Sequence, residues 1–146
     1  MWILRRLAEF GVCTEDLLMT FSMRIRIHVE INVPLWSFSL TKIYCEKIEK
    51  IQRIAMYIIL GAEAHHDYYC NLAILEMETL KDRRDSINKN FAEKILKNPS
   101  QQNIFQKTKS TTTKSTRRVV VPHARTARYD RSSVPSLAKL INTPKL

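Results

Sequence analysis

At 146 residues the chain has room for a single domain, and its formal net charge of +10 is spread unevenly. Residues 1–100 carry 14 lysines and arginines against 13 acids, whereas residues 101–146 carry 10 against one. Three widely spaced cysteines (Cys13, Cys45, Cys70) without a C-x-x-C pair exclude a disulfide framework, two glycines exclude a glycine-rich phosphate loop, and no apolar run approaches the ~18 residues of a membrane span.

Taken in order, Trp2 to Phe10 predicts a short helix with Trp2, Leu4, Leu7 and Phe10 apolar and Gly11 as its stop. A helix opening directly at the first residues fits a piece cut from something longer, and Arg5, Arg6 and Glu9 interrupt any signal-peptide core. Thr14 is the expected cap of a second helix, with Glu15 and Asp16 at its positive end and Leu17, Leu18, Phe21, Ile25 and Val29 as its stripe to about Ile31. Pro34 ends or kinks that segment. The apolar linker Leu35, Trp36, Phe38 and Leu40 is expected to dock under the helix that follows, with Trp36 as anchor.

That helix, Thr41 to Gly61, is the centre of the pattern. Tyr44, Ile48, Ile51, Ala55 and Ile58 repeat at helical spacing, widened by Ile54 and Ile59. Thr41 is its expected cap and Gly61 its stop. Glu46 with Lys50, and Glu49 with Arg53, stand four apart in the favourable order for exposed pairs. Asp67 caps a short helix over Tyr68 to Met77, and Thr79 with Asp82 caps a last one whose buried side is Leu80, Ile87, Phe91 and Ile95. Residues 1–99 therefore read as an all-α bundle of about five helices. Residues 100–146 read as a basic, low-complexity tail, largely disordered, in which Leu137, Leu140 and Ile141 make one weakly amphipathic turn able to dock.

Two clusters invite chemistry. His65, His66, Asp67 and Cys70 contain one His/Cys pair four apart, short of the four ligands of a closed zinc site, so a loop and helix cap is the default and no metal or other cofactor is expected. Cys13 and Cys45 read as small core residues. In the tail, Lys107, Lys109, Lys114, Arg117, Arg118, Arg125, Arg128 and Arg131 are placed for phosphate contacts. Such contacts release counterions and are blind to sequence. Tyr129 among the arginines can stack on an unpaired base. Arg83 and Arg84 on the last helix read instead as structural, paired with Asp82, Asp85 or acids of the central helix.

The order of certain residues also carries a resemblance. Leu4-Arg5-Arg6-Leu7, Gly11-Val12 and Asp16-Leu17 come first, then Ile25-Arg26, Glu30, Pro34-x-Trp36 and Leu40-Thr41. Ile48-Glu49, Ile51-Gln52, Ala55 and Ile58 to Gly61 follow on the central helix, and Leu80, Arg83-Arg84, Phe91-Ala92 and Lys94 on the last one. Ala124-Arg125-Thr126, Arg128-Tyr129 and Ser133-x-Pro135, leading to Leu140 and Asn142, complete the series. Together they resemble the region after the palm in the reverse transcriptases of non-LTR (LINE-type) retrotransposons. The chain departs from that pattern at Ile27, Ile31 and Ile54, where the family has proline, an aromatic and a basic residue, and near Ser136, where it has tyrosine. Glu76 or a neighbour replaces the family's glycine between the short helix and the last one.

The resemblance implies a thumb-like, all-α module that helps hold template and primer. In that family nucleotides are joined with two Mg²⁺ ions on a palm aspartate pair and a third acid, and two metals require convergent carboxylates. This chain has no Asp-Asp pair, and its adjacent acids Glu15-Asp16 sit at a helix start. The expectation is a non-catalytic carboxyl-terminal fragment, not an enzyme, intracellular, without a membrane, binding RNA or DNA non-specifically through its basic tail. Two rivals are a helical protein-interaction module with a flexible tether, and a pseudogene-like product without function.

Overall fold

A computed structural model describes residues 1–98, Phe105 and residues 119–143. Its helices are α1 (Trp2–Glu9), α2 (Thr14–Thr20), α3 (Ile27–Glu30), α4 (Val33–Trp36), α5 (Lys42–Leu60), α6 (Tyr68–Ile74), α7 (Leu80–Lys97), α8 (Ala127–Asp130) and α9 (Ser133–Asn142). A π-helical stretch, Phe21–Arg26, joins α2 to α3. Among the described residues there is no β-strand, so the fold is all-α as expected.

Local signals set the helix ends. Gly11 (φ +74°) closes α1 in a Schellman turn, its N–H bonding Ala8 O while Val12 N–H bonds Leu7 O. Glu76 (φ +50°) closes α6 the same way, with Glu76 N–H on Ala73 O and Met77 N–H on Leu72 O. Asp67 caps α6 by accepting from Tyr69 N–H at 3.2 Å. Thr79 Oγ1 accepts from Asp82 N–H at 3.0 Å and donates to the Asp82 carboxylate at 2.7 Å, which starts α7. Two expected caps differ. Cys13, not Thr14, is the N-cap of α2; its thiol donates to the Asp16 carboxylate at 3.2 Å and makes no bond to the first backbone amides of the helix. Thr41 does precede α5, yet its hydroxyl makes no capping bond.

Packing divides the chain into two units, Met1–Ile31 with Thr41–Arg83, and Asn32–Leu40 with Arg84–Leu146. In the first unit α1, α2, α5 and α6 enclose Leu4, Leu17, Phe21, Ala55, Met56, Ile59, Leu60, Leu72 and Leu75. The buried edge of α5 is Gln52, Ala55, Met56, Ile59 and Leu60, so its amino-terminal half lies outside this core and Tyr44, expected within the stripe, is 56% exposed. Gln52 is fully buried because its carboxamide is occupied. Its Nε2 donates to Glu78 O at 2.9 Å and its Oε1 accepts from the Tyr68 hydroxyl at 3.4 Å.

The second unit encloses Ala92, Ile95, Phe105, Val119, Leu137 and Ala138, with Phe38 packed against them. The apolar linker therefore belongs here: Phe38 meets the α7–α9 cluster, Val33 is fully buried, and Leu35 stays exposed. This division cuts across the expected boundary at 99/100. Residues 119–143, expected within a largely disordered tail, hold α8 and α9, because Val119, Leu137 and Ala138 find apolar cover on α7. Asn142 fixes the arrangement with both ends of its carboxamide: Oδ1 accepts from Val119 N–H at 3.1 Å and Nδ2 donates to Val119 O at 2.8 Å.

Candidate nucleic-acid interface

Of the residues expected to meet phosphates, Lys107, Lys109, Lys114, Arg117 and Arg118 lie outside the described residues. Arg125, Arg128, Tyr129 and Arg131 lie within them, gathered around α8. That helix is a single turn held at its start by Thr126, whose Oγ1 accepts from Tyr129 N–H at 3.3 Å, and at its end by the Ser132 hydroxyl, which donates to Tyr129 O at 2.7 Å. All three arginines are exposed, and Tyr129 is 43% exposed. Arg128 and Arg131 stand three apart, close enough to meet one stretch of backbone.

The electrostatics follow from one ion pair. Asp130 is the sole acid after residue 100, and its carboxylate accepts from Lys139 Nζ at 2.6 Å. Arg125, Arg128 and Arg131 make no ion pair with any described residue, so their charge is presented to solvent. Lys139 is the residue that sequence reasoning missed. Nine positions separate it from Asp130, beyond one helical turn, and only the packing of α9 brings it back.

The other clusters have structural uses. The His65–Cys70 loop is closed by buried Asn71, which accepts from His65 N–H at 2.7 Å and donates to His65 O at 2.8 Å. His65 Nδ1 accepts from Asp67 N–H at 3.0 Å. The Cys70 thiol is held above its usual pKa by desolvation, then by donating to the Asp67 carboxylate and by that carboxylate's charge. No three His, Cys, Asp or Glu side chains among the described residues converge as a metal site. No helix among them is long and apolar enough to cross a membrane.

Arg83 donates to Glu30, whose carboxylate also receives Arg26 at 3.4 Å. Its partner lies on α3, not on the central helix or at Asp82 or Asp85 as expected. Glu49, expected in an exposed pair with Arg53, turns its carboxylate to the Tyr68 hydroxyl at 2.8 Å and to Leu80 N–H at 3.3 Å, while the Arg53 guanidinium lies 5.1 Å from the centre of the Tyr68 ring. Burial, followed by this bond to Glu49 and its charge, raises the Tyr68 phenol far above the usual range. Comparison of the chain with protein-family models, curated proteins and solved structures finds no match.

Proposed function

We propose that the chain is a non-catalytic, thumb-like module of the kind that follows the palm in LINE-type reverse transcriptases, and that it binds nucleic acid without sequence preference through its basic carboxyl-terminal region. The ordered motifs and the absence of an Asp-Asp pair in the sequence support the lineage and the lack of catalysis. The binding reading rests on one observation: Arg125, Arg128 and Arg131 are exposed around Tyr129, and the one acid nearby is neutralised by Lys139. Arginines presented in this way meet phosphates through charge, and a half-exposed tyrosine between them offers a ring to an unstacked base.

The test is a titration of fluorescent single-stranded RNA at two salt concentrations, with the wild type and an Arg128→Ala/Arg131→Ala variant. Wild-type affinity falls as salt rises, and the variant lowers the slope of log K against log salt by about one to two, at roughly 0.7 per lost contact on a single strand. Affinity that does not respond to salt, or no binding at low salt, refutes the reading. Primer extension in Mg²⁺ by this chain alone would refute its non-catalytic part.

A further inference from the structure

The helix that begins at Thr14 is apolar on two sides. Leu17 and Phe21 point into the first unit's core, 3% and 1% exposed, while Met19 and Met23 on the opposite side are 53% and 66% exposed. Ile3 of α1, itself 55% exposed, joins Met19, Thr20, Met23 and Arg24 to line an open groove of about 390 Å³. A second apolar strip, exposed and opposite the buried one, is surface that a partner can cover.

The charges along the outer side indicate what the cover is. Glu15 and Asp16 occupy its first turn and are exposed, and Arg24 lies two turns later, exposed and without an ion pair to any described residue. Asp16, Thr20 and Arg24 are four apart. Along an α-helix such a series drifts around the axis, but the π-helical stretch from Phe21 turns less per residue and keeps Arg24 in line with the other two. The face is therefore acidic at one end, methionine-rich in the middle and basic at the other. A copy of itself, reversed about Thr20, is its electrostatic complement.

We propose that this face is the contact of a symmetric, antiparallel homodimer. Asp16 of each copy meets Arg24 of the other at the two ends, and Met19 and Met23 of both copies fill the seam, where unbranched thioether side chains adapt to one another. Because the pairing is two-fold, each ion pair occurs twice.

Sedimentation equilibrium of the full chain over a range of concentrations tests this. The expected result is a mass that rises from 17.1 kDa towards twice that value as concentration increases. Arg24→Glu should weaken the dimer by about tenfold or more, since it sets like charges together at both ends. Met23→Ser should also weaken it. Adding Asp16→Arg to Arg24→Glu should restore the dimer, because the reversed charges again meet in both copies. These side chains are exposed, so the variants keep the wild-type circular dichroism. A monomer at every concentration, a dimer indifferent to Arg24→Glu, or a failure of the double variant to recover would each overturn the proposal. So would preferential binding of an added amphipathic helical peptide at this face with the chain itself monomeric.

Discussion

Glu76 is the residue whose conformation most opposes its chemistry. At φ +50° it occupies the position that Gly11 fills in the matching turn after α1, and a side chain with a Cβ is strained there. Glu76→Gly should therefore raise stability by up to about 1 kcal/mol, the relief of strain outweighing the entropy that glycine adds to the unfolded chain. Chemical denaturation reads it, and a loss of stability would show that the Glu76 side chain contributes more than its backbone costs. Tyr68 gives a pH-dependent counterpart. Its phenol pKa is raised in the folded chain, so its contribution is fully present below the ordinary tyrosine value of about 10 and declines as pH rises through the folded value. Tyr68→Phe should cost about 1–2 kcal/mol at neutral pH by removing the hydroxyl shared by the Glu49 carboxylate and Gln52 Oε1, Glu49 keeping the Leu80 N–H, and should flatten the loss of stability above pH ~10. Denaturation at pH 7 and at alkaline pH separates the two effects.

Among elements, α9 shows how a segment weak in isolation becomes ordered by what it covers. Its buried residues are Pro135, Leu137 and Ala138, and its last residue, Asn142, binds both backbone groups of Val119. Asn142→Leu should cost about 1–3 kcal/mol by orphaning that buried N–H and C=O, and Leu137→Ala about 2–4 kcal/mol by opening a cavity, both measurable in urea. The longer helices of residues 1–98 were legible in sequence because their signals are local: Gly11, Gly61, Asp67 and the Thr79–Asp82 pair act within a turn of where they stand, whereas α4 formed in the stretch read as a linker. Which side each helix buries was less legible, because that depends on neighbours. Tyr44 fits the apolar repeat of α5 but lies beyond the reach of the core, whereas Gln52 breaks the repeat and is fully buried, since Glu78 and Tyr68 occupy its carboxamide. Of the candidate interface, the arginines and Tyr129 could be read directly; the pairing of Asp130 with Lys139, which leaves those arginines uncompensated, required the fold.

At the scale of the molecule, described residues beyond position 100 take part in the second unit's core. Phe105 and Val119 are seated in the same cluster as Ala92 and Ile95, on either side of a sequence that holds Lys107, Lys109, Lys114, Arg117 and Arg118. A truncation after Asn98 removes Phe105, Val119, Leu137 and Ala138 and leaves that side of α7 uncovered. Hydrogen exchange should then show lost protection at residues 91–97 and retained protection in α5, where the Gln52 and Glu49 contacts lie within the first unit. Uniform loss along the chain would show that the two units fold as one. For the same reason, charge substitutions at Arg128 and Arg131 test nucleic-acid binding more cleanly than deletion does.

The bond from Leu80 N–H to Glu49 has a kinetic consequence. The opening turn of α7 is completed by a carboxylate from 31 residues earlier, so its nucleus is assembled from two distant parts of the chain. An excised peptide covering 79–98 should be less helical in water than the same residues are in the protein. During refolding, the amide of Leu80 should become protected after those in the middle of α5, which wait on nothing but their own turns.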